Sequence, residues 1–189
     1  RLMNRLIVKS ADVLVTMDND RQEIEDGAVV ADNGVIRAVG KTGDILSRFS
    51  DDATRIIDAR GAVVLPGLVN CHHHLYQTLT RVVCTASGMQ LFDWLKTLYN
   101  VWAGLDSEAV YVSTKLALSE LVLSGATTVA DHLYLFPNGA TLDDEIRGAQ
   151  ELGVRFHPVR GSMSLGESRG GLPPDRLCED ESHILRDCE

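Results

Sequence analysis

The chain has 189 residues, 44% of them hydrophobic and 24% charged, with a formal net charge of −9. That length supports one good-sized core, and the acidic balance argues against a broad nucleic-acid or anionic-membrane footprint, which needs a basic surface. No apolar run approaches the roughly 20 residues of a membrane span, and the first stretch, RLMNRLIVKSADVLVTMDND, is a poor signal peptide because Lys9, Ser10 and Asp12 interrupt it.

Residues 5–60 read as short strands. LIVKSADVLVTMD is rich in β-branched residues, and GAVVADNGVIRAVG is two strands around Asn33-Gly34, a strong two-residue hairpin signal. GDILSRFS makes one or two helical turns. TRIIDARGAVVLPGLVN predicts two more strands, split by Gly61. Residues 1–61 are therefore expected to form a small β-sheet domain. After residue 62 the pattern changes. VVLPGLVN predicts a buried strand, and LFDWLKTLYNVWAGL (91–105) a helix with an aromatic face. Asp106 is an N-cap for SEAVYVSTKLALSELVLS, whose Val110, Thr114, Ala117 and Leu121 share one stripe. Gly125 ends that helix, and TTVADH follows as a strand. Thr141 caps LDDEIRGAQEL with Asp144 three residues on, an approximate capping box. Gly153 ends it, and VRFHPVRG is the next strand. A loop, SMSLGESRGGLPPD, leads into DRLCEDESHILRDCE, expected to be helical.

Alternating strands and helices predict an α/β fold with a parallel sheet and crossovers. Three such strands fall short of a (β/α)₈ barrel, which needs about 250 residues. Residues 62–189 are expected to be the first part of something larger, the alternative being a small open domain complete as written. Cys71, Cys84, Cys178 and Cys188 form no CxxC pair, so a zinc ribbon and a thioredoxin-like site are not indicated. A cytoplasmic protein with reduced thiols is expected.

The stretch LPGLVNCHHHLYQTLTR carries the chemistry. On a strand, His72 and His74 project to one face and His73 to the other. Two imidazoles so placed, about 6–7 Å apart at Cβ, can both reach one metal ion at about 2.1 Å. The pair sits at the carboxyl end of a strand, where parallel α/β sheets place their ligands. An isolated HxH more often marks a His cluster packed or exposed at a strand end, and it is the surrounding sequence that reverses this.

VVLPGLVNCHHH, directly after a small β region, resembles the amidohydrolase superfamily. Members carry Pro-Gly-apolar-apolar-x-x-His-x-His on the first barrel strand, and Pro66, Gly67, Leu68, Val69, His72 and His74 match it. DGAVVADNGVIRAVG and SGATTVADH are similar to the superfamily as well. The resemblance implies the first three βα units of a TIM-like (β/α)₈ barrel, preceded by a sheet that contributes to a composite β-sandwich. It implies His72 and His74 as ligands of one divalent ion, zinc before iron, and His73 as a non-ligand. Cys71 is expected to point away with His73, as a small buried residue. The remaining ligands and the general acid/base are implied on later strands, outside this sequence. No catalytic residue is therefore expected within it, and His132 and His157 are not promoted to replace the missing ones.

More locally, HHHLYQTLTR, LFDWLKTLY, DHLYLFPNG and RGSMSLGESRGGLPPD look like the bacterial 8-oxoguanine deaminases, and less closely like hydroxyatrazine-type aminohydrolases. The HxHxxQ spacing is similar to guanine deaminases, which implies that Gln77 hydrogen-bonds the ring edge of a substrate; a primary amide offers both donor and acceptor. Tyr134, past the second strand, is a candidate pocket-lining residue, as are Arg160 and Ser162 past the third. Trp94, Tyr99 and Trp102 at helical spacing are read as packing or a subunit contact. The expected activity is metal-dependent hydrolytic deamination of a purine-like ring, first 8-oxoguanine to urate and ammonia. Isoxanthopterin, guanine and hydroxyatrazine-type triazines are the alternatives, together with an inactive piece that needs a missing C-terminal half. The expected partners are a small-molecule substrate and further copies of the same protein, without nucleic acid or membrane. Competing motifs fail: GVIRAVGKT has the wrong glycine spacing for a P-loop and sits in a hairpin, and HExxH and HxE…PCxxC are absent.

Overall fold

The computed structural model describes residues 4–49 and 54–189. The chain divides into two compact units, Arg1–Pro66 and Gly67–Glu189.

The first unit is a sheet of β1 (Arg5–Val15), β2 (Glu23–Asp32), β3 (Val35–Lys41) and β4 (Arg55–Asp58) in the order β3-β2-β1-β4, with the short β5 (Val63–Val64) also on β1. β2 and β3 are an antiparallel hairpin turned by Asn33 at φ 50° and Gly34 at φ 82°, the doubly left-handed geometry that an Asn-Gly loop favours. A register shift in β1 between Val8 and Ala11 frees the Ser10 amide, which donates instead to Thr42 Oγ1 at 2.9 Å. Thr42 opens α1 (Thr42–Phe49), which buries Ile45 against Ile7, Ala28 and Val30. That helix is the expected pair of turns, apart from Ser50, which lies outside the described residues.

VVLPGLVN is not one strand. Val63–Val64 pairs with β1, whereas Leu68–Asn70 begins the second sheet, and Pro66, with no N–H to give a ladder, stands between them. The change of pattern expected at residue 62 compares with a division after Pro66.

The second unit is a parallel sheet, β6 (Leu68–Asn70), β7 (Ala126–Leu133) and β8 (Arg155–Arg160), in sequence order. α2 (Leu91–Trp102) and α3 (Ser107–Leu123) join β6 to β7, and α4 (Leu142–Leu152) joins β7 to β8. The caps form as the sequence requires. Asp106 accepts from the Ala109 amide at 2.9 Å, Thr141 and Asp144 make a capping box, and Gly153 ends α4 in the left-handed region at φ 71°. Val110, Thr114 and Ala117 are buried along α3, while Leu121 is half-buried beside them. Gly67 is glycine for want of space: a Cβ there would lie 2.2 Å from Thr127 Oγ1.

Two expectations need correction. β6 is not buried: Leu68 is 54% and Val69 64% exposed, because β6 is the edge of a three-stranded sheet. DRLCEDESHILRDCE is helical only over α5 (Glu181–Asp187), where Asp180 accepts from the Ser182 and His183 amides; Asp175–Leu177 is a single 3₁₀ turn. No helix among the described residues is long and apolar enough to cross a membrane.

Candidate metal and substrate site

The three histidines follow the end of β6 rather than lying within it, since regular pairing stops at Asn70. The segment still runs beside β7, because the His132 amide donates to the His73 carbonyl at 3.1 Å. His72 and His74 stand together with ring centres 5.3 Å apart and planes at 83°. Two imidazoles on one tetrahedral ion, at about 2.1 Å per bond, have their centres about 5 Å apart, so this spacing fits a shared divalent ion.

The tautomer fits as well. His74 Nδ1 lies 2.8 Å from the His132 carbonyl, which can only accept, so Nδ1 carries a hydrogen and Nε2 is the nitrogen left for another partner. The His73 ring is used differently. Its Nδ1 accepts from the His74 amide at 3.0 Å, and burial, followed by the neighbouring His74, Arg81 and His72, lowers its pKa. Among the described residues no group of three or more His, Cys, Asp or Glu is placed to hold a metal ion. His72 and His74 thus offer two nitrogen donors side by side, and the described residues add no third.

The chain after His74 turns into a 3₁₀ helix, Leu75–Thr80, which carries Gln77. Gln77 Nε2 donates to the Tyr76 hydroxyl at 3.1 Å and to the Tyr134 hydroxyl at 3.4 Å. Tyr134, directly after β7, sets its ring 5.3 Å from His74 at 89°. Gln77 and Tyr134, separated by 57 residues in sequence, are side by side next to the His pair. Burial raises the pKa of Tyr134, as it does for Tyr76, so both hydroxyls are neutral and can donate or accept. Tyr76 in turn packs edge-on against the buried Trp102, whose Nε1 donates to Thr80 Oγ1 at 3.0 Å. The aromatic set Trp94, Tyr99 and Trp102 is internal packing that supports this wall.

The remaining candidates divide. Arg160 does not face the histidines: it is paired with Glu179 at 2.5 Å and Asp187 at 2.9 Å and stacks 4.3 Å over Phe136. Ser162 is exposed. Cys71 is exposed rather than buried, because it lies past the last regular residue of β6, and it lines a recess of about 290 Å³ together with His72, His73, His74 and His132. His157 is exposed on β8, outside that recess.

Sequence reasoning missed two features. The His132 ring stands 5.6 Å from His74, and burial, followed by His74 and His72, lowers its pKa. Room for it is made by Gly161, where a Cβ would fall 2.4 Å from His132 Nε2 and 2.7 Å from Tyr134 Cβ. The second feature is Asp131, buried on β7, which accepts from the Leu75 amide at 2.6 Å. An acid in register with the apolar Val129 and Leu133, two positions to either side in TTVADHL, was the available signal for it.

The profile of the Amidohydrolase family matches residues 63–186. The chain is 47% identical over 165 residues to an 8-oxoguanine deaminase of Pseudomonas aeruginosa, covering 86% of this chain and 36% of that protein. It is 33% identical over 144 residues to hydroxydechloroatrazine ethylaminohydrolase of Pseudomonas sp. strain ADP, covering 74% and 30%. Among solved structures it superposes on atrazine chlorohydrolase from Arthrobacter aurescens TC1 complexed with zinc, with a TM-score of 0.87 and 31% identity over 97% of this chain and 41% of that one. The chain thus spans about a third of the length of these curated relatives.

Proposed function

The chain belongs to the amidohydrolase family, and on that premise we propose that it is the first part of a metal-dependent aminohydrolase acting on a purine-like ring, with 8-oxoguanine as substrate and urate and ammonia as products. In this reading the parallel sheet of β6, β7 and β8 is the start of a (β/α)₈ barrel, and the strands that follow would cover the exposed Leu68 and Val69. The observation that carries the substrate class is the meeting of Gln77 and Tyr134 beside His74.

His72 and His74 would hold one divalent ion, zinc in this reading, because the zinc-complexed neighbour shares the fold at 31% identity. A divalent ion in such a site lowers the pKa of bound water toward 7 and so supplies hydroxide at neutral pH. The His132 carbonyl keeps His74 in the tautomer with a free Nε2. The Gln77 amide, anchored on the Tyr76 and Tyr134 hydroxyls, keeps its carbonyl oxygen to accept a ring N–H. A neutral His132 and the Tyr134 ring present no net charge to a flat heterocycle. The general acid/base is not among the described residues of this recess in the proposal; it belongs to strands beyond this chain. A triazine ring is the second reading, favoured by the similarity to hydroxydechloroatrazine ethylaminohydrolase.

Ammonia release from 8-oxoguanine, guanine, isoxanthopterin and hydroxyatrazine, by the intact metal-replete protein and its Gln77→Ala variant, tests the proposal. Turnover of 8-oxoguanine that drops at least tenfold in kcat/KM in the variant is the expected outcome, about the 1.4 kcal/mol of one ring hydrogen bond. Turnover of hydroxyatrazine alone moves the assignment to the triazine reading, and no turnover of any of the four refutes the branch.

A further inference from the structure

Next to the histidines lies a buried acidic pair that the proposed chemistry does not use. Asp131 on β7 is 1% exposed, and Glu145 on α4 is fully buried. Asp131 Oδ1 accepts from the Leu75 amide at 2.6 Å, and Ser113 Oγ donates to the Leu75 carbonyl at 2.6 Å. Leu75 is held by both its backbone groups, and it is the residue between His74 and the Tyr76–Gln77 pair. Among the described residues no N–H or O–H donates to Asp131 Oδ2 or to either Glu145 oxygen. The two carboxyls are left with each other, within hydrogen-bonding reach. Two buried carboxylates without a counter-ion are strongly unfavourable. One proton between them removes one charge and supplies the missing donor.

We propose that Glu145 is a positioning residue for the site: it donates a hydrogen bond to Asp131, which holds the Asp131 carboxylate on the Leu75 amide and so sets the directions of His74 and Gln77. The role rests on the reading of those two residues as metal and ring contacts. Burial, followed by the adjacent Asp131 charge, pushes the Glu145 carboxyl well above the ordinary range, in keeping with its acid form. The strand, the 3₁₀ turn and α4 are thereby joined through one chain of bonds, Glu145 to Asp131 to Leu75, with Ser113 of α3 closing it from the other side.

The test compares wild type, E145Q and E145L in the intact protein. Two quantities are read: hydrogen exchange at the Leu75 amide in the metal-free state, and affinity for zinc by chelator competition. E145Q retains an N–H donor for Asp131, so Leu75 protection and zinc affinity stay within about threefold of wild type. E145L fills the space without a donor, so Leu75 exchange rises about tenfold or more and zinc binds about tenfold more weakly, while amides in β8 keep their protection. Wild-type protection at Leu75 in E145L overturns the proposal, and so does an E145Q protein that behaves like E145L. If E145L does not fold, the rescue by E145Q decides alone. The exchange readout needs no metal, so a wrong metal reading shows separately, as a wild type that binds no zinc.

Discussion

At His74 one ring nitrogen is already committed. Nδ1 is tied to the His132 carbonyl, so Nε2 is the one ring nitrogen left for another partner and the plane of the ring is fixed. His132 itself fits only because Gly161 has no side chain, a Cβ there lying 2.4 Å from its Nε2. Gly161→Ala is therefore expected to displace His132 and Tyr134 and to lower kcat/KM for the ring substrate about tenfold or more, a 1 Å misplacement being enough for such losses. Gly43→Ala is the matched control, since nothing lies within 4 Å of the added methyl; inside α1 it should leave activity unchanged and raise Tm slightly. Steady-state kinetics with a thermal melt on both variants decides this. That His72 and His74 share a face was legible because a strand's side-chain period of two encodes it, whereas Gln77 was legible as a candidate contact only through the resemblance of HxHxxQ to guanine deaminases. The proximity of His132 was not, because it depends on a glycine 29 positions later that makes room for it.

Each element carries its own local signals, and those signals account for the accuracy of the boundaries. Asp106 caps α3, Thr141 and Asp144 box the start of α4, and Gly153 ends it, as their positions in the sequence require. Asp106→Ala removes the acceptor of the Ala109 amide and is expected to cost about 1 kcal/mol, read as a lower Tm of the intact protein with unchanged KM. Where a local signal inside an otherwise uniform run was passed over, the boundaries slipped. VVLPGLVN reads as one apolar run, but Pro66 cannot donate to a ladder, and its two halves pair with different sheets. DRLCEDESHILRDCE looks uniformly helical, but Asp180 offers a cap in its middle, and the helix starts there.

On the scale of the whole molecule, the recess holds two histidines suited to a divalent ion, and the described residues offer no set of three ligands. A protein of these 189 residues alone is expected to bind zinc weakly and to release no ammonia from 8-oxoguanine. Chelator competition and an ammonia assay check this, and measurable turnover would contradict it. The sequence by itself determined the hairpin at Asn33-Gly34, the helix caps, the parallel strand–helix order and the two histidines that share a face. All of these rest on interactions between residues close in the chain, or on a side-chain period of two. Only the tertiary structure decided that Gln77 meets Tyr134, that Arg160 is spent on Glu179 and Asp187, and that Asp131 reaches across 56 residues to the Leu75 amide. Those partners come from different strands and helices, and nothing in the local sequence of either one specifies the other until the sheet brings them side by side.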